Sequence, residues 1–296
     1  MLYALLDPGL FLISDEDWNC ADRQISFLDQ LNKHLEFIDN VGVALVVWCD
    51  ELDARLWSNP QMPPWKQNRN YDIQMTMILY TFLTKHAHRV DIKGNALADA
   101  LPSLSCCCDN SLGFFRKLVF TVIQNMLSAY FCPSSANLIA ADHQFRESLT
   151  TDWVSFPVIR DPLNWPKKIS PVQLFWPINR MDRDRFIKCI EYTSLANDIS
   201  PKELQKYQLS GRFIGDIVNA SRKEKVVEMI ICRLSMNLHA ASSDPRLQDE
   251  LLSDGVSRRF RVTQRPSSLR IHYRFDEDQK IVFTRFYDEG HHDDGL

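Results

Sequence analysis

Glycine is scarce in this chain, nine among 296 residues, and none falls into the glycine-rich signatures that cradle dinucleotides or nucleoside triphosphates, or into the nucleophile elbow of an α/β-hydrolase. Those three function classes are set aside. A run of 18 uncharged apolar residues is also missing: the longest candidate, 114–131, contains Arg116, Lys117 and Gln124 and reads as an amphipathic helix. No membrane partner or span is expected. No Lys or Arg precedes Asp7, so the basic start of a signal peptide is lacking and a cytoplasmic location is expected. The eight cysteines include the contiguous Cys106, Cys107 and Cys108 but no CxxC pair, which suits neither a disulfide framework nor a tetrahedral zinc site. They read as reduced thiols. Excess charge is absent as well: 34 Lys+Arg against 38 Asp+Glu give a formal charge of -4, which excludes a uniformly basic nucleic-acid coat but not a local basic stripe.

What is present is a globular composition, 45% hydrophobic and 11% aromatic, at a length that suits two domains. Residues 2–6 form a short apolar run stopped by Asp7, Pro8 and Gly9, as a buried strand is. Residues 22–38 carry apolar side chains at helical spacing, and 41–48 is a second apolar run rich in β-branched residues, so strand, helix, strand is the expected order. Cys49, Asp50, Glu51 and Asp53 follow that second strand. Helices are expected over 71–84 and 114–131, the latter preceded by Asp109, with short strands over 137–142, ending in Asp142, and 153–159.

Open parallel sheets bind ligands at the carboxyl ends of their strands, where Asp7, Glu51 and Asp142 are expected to meet. Carboxylates from several chain positions offer the hard oxygen donors that Mg²⁺ or Mn²⁺ requires, and such ions activate water for phosphodiester hydrolysis. Asp7, Glu51, Asp109 and Asp142 are therefore the candidate catalytic acids, and Asp7, Glu51 and Asp142 the candidate metal ligands. The competing reading makes each acid a turn residue or a helix cap.

Residues 162–177 hold four prolines, Trp165 and Trp176, and read as an ordered connector whose tryptophans suit docking to a partner. Beyond it, helices are expected over 181–193 and 221–241, with further helix starts at Ser200-Pro201 and Asp244-Pro245. The pattern then changes to period two over 259–262, 269–275 and 280–286, an antiparallel meander behind helices. From Arg258 to Arg285 there are seven arginines and one lysine against three acids. Alternation puts Arg259 with Arg261, and Arg270 with His272 and Arg274, on common faces. Together with Arg285, Tyr287 and His291 they are the candidate nucleic-acid contacts, with His272 and Tyr273 placed for proton transfer or stacking. The alternative is an exposed face whose charges guard an edge strand. The tail around His291 and His292 sets imidazoles beside carboxylates, a combination that binds transition metals or transfers protons, or else simply a polar terminus.

Two stretches resemble known families. Leu5-Leu6-Asp7, the strand before Asp50-Glu51-Leu52, Asp109 ahead of a helix, and Leu138 to Phe145 with Asp142 resemble the PIN nuclease domain over residues 1–165. Residues 206–296, with Arg258 to Val262, Arg270 to Phe275 and Ile281 to Tyr287, resemble the RelE/ParE toxin superfamily, and 166–205 forms the intervening connector and helix. The fold these resemblances imply is α/β plus α+β: a PIN-like parallel sheet followed by a RelE-like helical pair and antiparallel sheet. They imply a nucleic-acid-targeting effector, a metal-dependent nuclease of a bacterial toxin or phage-defence system using Mg or Mn on RNA or DNA. The alternative they leave open is a non-catalytic scaffold or docking subunit with protein partners in a defence or toxin-antitoxin complex.

Overall fold

The structure, a computed structural model, describes residues 2–6, 20–42, 44–50, 73–74, 76–78, 80–81, 85, 87–90, 129–132, 143–145, 154–157, 159, 162–263 and 269–288. The chain divides into two compact units, Met1–Lys168 and Ile169–Leu296. Both mix helices with sheet.

In the first unit, β1 (Leu2–Leu6) pairs in parallel with β2 (Ala44–Trp48), and β2 with β3 (Ala87–Arg89). Helix α1 (Ala21–Val41) connects β1 to β2, the crossover that a parallel pair demands. It ends where Gly42 takes a left-handed φ of 66° and returns its N–H to the carbonyl of Ile38, a conformation glycine reaches without strain. Val46, Val47 and Trp48 are all buried, so successive β2 side chains, pointing to opposite faces, are both covered. This explains why the strand reads as a continuous apolar run.

The end of the helix expected over 114–131 instead lies in β4 (Ala129–Cys132), parallel to β1 on its other side, giving the order β3-β2-β1-β4. A buried aromatic such as Tyr130 suits strand as well as helix, and the free edge of β1 decides between them. A strand was expected over 137–142; the described strand β5 (His143–Phe145) begins after Asp142 and pairs antiparallel with β6 (Val154–Phe156), outside the parallel sheet. The 3₁₀ turn at Pro162–Lys167 brings Trp165 against Phe37 of α1, which also meets Tyr130 edge-on at 5.5 Å. Trp165 is 3% exposed and Trp176 6% exposed, so neither is the free docking tryptophan the sequence suggested.

The division falls inside the stretch expected as a connector: 162–168 belong to the first unit and 169–177 to the second. Helix α2 (Pro171–Phe175) is capped by the Ser170 hydroxyl, which accepts from the N–H of Gln173, with proline at the first helical position. Trp176 donates its indole N–H to the Val218 carbonyl and meets Phe186 of α3 (Arg183–Ala196) edge-on. A mixed sheet follows in the order β7-β11-β10-β9-β8, formed by β7 (Tyr207–Leu209), β8 (Glu250–Leu251), β9 (Arg258–Arg261), β10 (Arg270–Phe275) and β11 (Ile281–Tyr287). The meander over β9 to β11 is antiparallel as expected, but β7 adds a parallel strand that the sequence pattern did not reveal.

Phe260, Ile271, Tyr273, Phe283 and Phe286 are buried, and helix α4 (Gly211–Ile217) packs its Phe213 on Phe283 at 5.6 Å. The helix expected over 221–241 is two: α5 (Lys223–Leu234) and α6 (Leu238–Ser243). The Asn237 side chain accepts from the N–H of Ala240 and so restarts the chain as a new helix. Asp244 does not open another helix; it stands at the end of α6 and binds Arg246.

The core of the second unit holds a charged network. Arg233 of α5 and Asp249, both fully buried, lie 2.9 Å apart, and Arg258 of β9 donates to the second Asp249 oxygen at 3.0 Å. The Tyr273 hydroxyl donates to Asp249 at 2.7 Å and accepts from Arg233. Burial raises the Tyr273 phenol to about 12, with Arg233 opposing, so the hydroxyl keeps its proton at neutral pH.

Removing one member of a buried ion pair strands the other charge, so Asp249→Ala is expected to cost about 3–5 kcal/mol and Tyr273→Phe about 1–3 kcal/mol in urea denaturation. A loss below about 1 kcal/mol for Asp249→Ala contradicts a tightly coupled network.

Candidate functional site

The outward face of β9, β10 and β11 is set by their pairing. Ile271 lies opposite Phe260 and Phe286, so these three share the core side. The alternate residues then form two cross-strand rows on the other face: Arg259, His272 and Arg285, and beside it Arg261, Arg270 and Tyr287. Arg274 continues the same face of β10.

A β-bulge makes these rows possible. Tyr273 pairs with Phe283 and His272 with Arg285, leaving Thr284 as the extra residue of β11. Its hydroxyl donates to the His272 carbonyl at 3.1 Å, and its own carbonyl accepts from the Ser210 hydroxyl. Without that insertion, strict alternation would put Arg285 and Tyr287 on the core side with Phe283.

Seven of the eight candidate nucleic-acid residues, Arg259, Arg261, Arg270, His272, Arg274, Arg285 and Tyr287, therefore share one face. His291 lies outside the described residues. The face has a floor and a rim. Arg270, His272 and Tyr287 are each at most 9% exposed, whereas Arg259, Arg261 and Arg285 are partly exposed and Arg274 is exposed. Tyr287 is thus not available as an open stacking platform. It instead lies 4.6 Å from the His272 ring and takes the Arg285 guanidinium over its face at 5.1 Å.

Two carboxylates that the sequence reading did not single out hold part of this charge. Asp216 of α4 accepts from Arg285 Nε at 2.7 Å and from the backbone N–H of Phe286 at 3.1 Å, where β7 no longer covers β11. Its signal in the sequence is faint: one acid among Phe213, Ile214 and Ile217, which are buried. Glu250 of β8 accepts from Arg259 Nε at 2.6 Å with half its side chain in solvent. Asp249 and Glu250 are successive residues with opposite duties, one for the buried network and one for the cationic face. Arg261 and Arg274 have no carboxylate partner among the described residues.

The field shows in His272. Burial, reinforced by Arg259, Arg270 and Arg285 and opposed by Asp254, pushes its imidazole down from 6.5 to about 4. The ring is neutral at pH 7. As a hydrogen-bonding group it offers one donor and one acceptor, and its Nε2 has no partner among the described residues. Expected reach for proton transfer by Tyr273 is not found, because its hydroxyl is spent in the buried network.

The candidate acids Asp7, Glu51, Asp109 and Asp142 lie outside the described residues. Asp50, after β2, pairs with Arg89 of β3 at 3.4 Å in an exposed contact. Among the described residues no group of three or more His, Cys, Asp or Glu is placed to hold a metal ion, and no helix is long and apolar enough to cross a membrane.

By NMR, the His272 ring is expected to titrate near pH 4, and Arg259→Gln to raise that midpoint. Because the folded-state value is depressed, the neutral ring's contribution to stability is complete above about pH 6.5 and is lost as pH falls toward 4. A midpoint at or above 6.5 contradicts an enclosed cationic surrounding. No protein family, no curated protein and no solved structure matches this chain.

Proposed function

We propose that the chain is a nucleic-acid-targeting effector whose second unit binds RNA or DNA phosphates on the β9–β11 face. The observation that carries this reading is the concentration of five arginines on one side of three adjacent strands, with Arg261 and Arg274 left without carboxylate partners among the described residues. Arginine forks match phosphate oxygens, and contacts of this kind fix the position of a strand without reading its sequence. Tyr287 and His272 support the guanidinium groups from beneath rather than stacking bases.

A hydrolytic role for the first unit is the second part of this reading. It is favoured by the parallel pairing of β1 and β2, whose last residues Leu6 and Trp48 come just before Asp7 and Glu51 in the chain. Those carboxylates have the oxygen chemistry that Mg²⁺ or Mn²⁺ takes. Loss of metal-dependent cleavage in Asp7→Asn, with nucleic-acid binding retained, separates the two roles. Wild-type protein that binds but never cleaves removes the hydrolytic part and favours the docking subunit.

Fluorescence anisotropy with single-stranded RNA and DNA tests the binding face. The Kd is expected to rise with salt, and Arg261→Gln with Arg274→Gln to lower the slope of log Kd against log salt by about 1.4, since each phosphate contact on a single strand contributes about 0.7. The double variant is expected to keep its melting temperature. An unchanged slope, or binding indifferent to salt, refutes the assignment.

A further inference from the structure

The row Arg259, His272, Arg285 contains two buried polar atoms that no described residue satisfies. Arg259 Nη1 and His272 Nε2 belong to directly paired residues of β9 and β10, and neither has a hydrogen-bond partner among the described residues. A buried polar atom left unpaired is disfavoured, so two of them on directly paired residues point to a partner that binds there. The chemistry of that partner follows from its surroundings. Arg259 Nη1 is a donor that cannot lose its proton, and the neutral imidazole can present Nε2 as a second donor. Arg270 and Arg285 add positive charge from the adjoining positions, and their field on His272 is already felt. Two donors whose atoms are buried and backed by cations suit an oxyanion.

We infer that Arg259, at the rim, and His272, on the floor, form a phosphate subsite on this face, regulated by Glu250, which competes with the bound phosphate for the Arg259 guanidinium. This rests on the nucleic-acid reading in that a backbone phosphate is one source of the group, a free phosphate being the other. The two carboxylates at the face differ in what they can release. Asp216 is committed twice, to Arg285 and to the Phe286 N–H, and its loss uncovers a strand edge. Glu250 makes one side-chain contact here, at the end of a two-residue edge strand and half in solvent, so an incoming anion can displace it.

The full chain is titrated with inorganic phosphate and, separately, with a short single-stranded oligonucleotide, following the His272 ring resonances. Phosphate is expected to bind and shift the His272 signals. Glu250→Gln is expected to tighten it about threefold and Arg259→Gln to weaken it about tenfold or more, each with an unchanged melting temperature. Should Arg259→Gln fail to fold, Glu250→Gln alone decides, because removing an exposed carboxylate leaves the core intact. Phosphate binding that neither variant alters overturns the subsite. Oligonucleotide binding with no phosphate effect at His272 overturns the subsite while leaving the nucleic-acid face standing. Phosphate binding at His272 with no oligonucleotide binding sustains the subsite and removes the nucleic-acid reading, and binding of neither removes both.

Discussion

The phase of β11 governs the second unit. A strand shows alternate residues to opposite sides, so one inserted residue exchanges the roles of everything after it. Thr284 is that residue. Before it, Ile281 and Phe283 are buried; after it, Phe286 takes over the core side and Arg285 turns outward to stand opposite His272. Both the apolar core and the cationic face depend on this one displacement. The hydroxyl of Thr284 and the carbonyl it offers to Ser210 tie the insertion to β10 on one side and to the start of α4 on the other. Ser210 at the same time caps α4 by accepting from the Phe213 N–H, so the helix that delivers Asp216 to Arg285 is registered against the strand that carries Arg285.

Charge on this sheet is sorted by depth. Arg233 and Asp249 are withdrawn completely and satisfied by Arg258, Tyr273 and the Met236 carbonyl, an arrangement that defines how α5, β9 and β10 meet. Buried ion pairs add little net stability over well-packed apolar groups, but an unpaired member is severely disfavoured, so the network penalises any other packing of those elements. On the outer side the same strands carry arginines with incomplete compensation. Arg261 lies directly opposite Arg270, a like-charge pair that weakens a sheet, and His272 sits between Arg259 and Arg285. The imidazole responds by remaining neutral, which relieves what would otherwise be three cations in a row.

Much of this was legible in the residues. The alternation of Arg259 with Phe260 and of Arg270, His272 and Arg274 with Ile271 and Tyr273 is a period-two signal that needs only local information, and it assigned the outward face of β9 and β10 correctly. Arg285 and Tyr287 joined that face only because of the bulge, which no composition rule marks, since Thr284 is an ordinary strand residue. The parallel strand β7 escaped notice because three residues carry too little periodicity, and the division between α5 and α6 because Ser235, Met236 and Asn237 interrupt an apolar stripe without proline or glycine. Asp216 and Glu250 were invisible for a different reason: their importance arises from contacts 69 and 9 residues away in the chain. In the first unit, β1, α1 and β2 were readable because a buried parallel strand is a continuous apolar run. β4 was not, because an aromatic tetrapeptide satisfies helix and strand templates equally.

The distribution of the arginines argues against the plainer reading, in which charges merely protect sheet edges. Protective charges belong on the outer strands, where unpaired backbone groups invite another chain. Here the outer strands carry none of the arginines: β7 is Tyr207, Gln208 and Leu209, and β8 is Glu250 and Leu251. Both edges are already blunted by being three and two residues long. The cations lie on β9, β10 and β11, the inner three, where edge protection has no need of them and where directly opposed guanidinium groups cost stability. A sheet that accepts like charges at its centre while leaving its edges uncharged or acidic fits the proposed anion-binding face better than it fits edge protection.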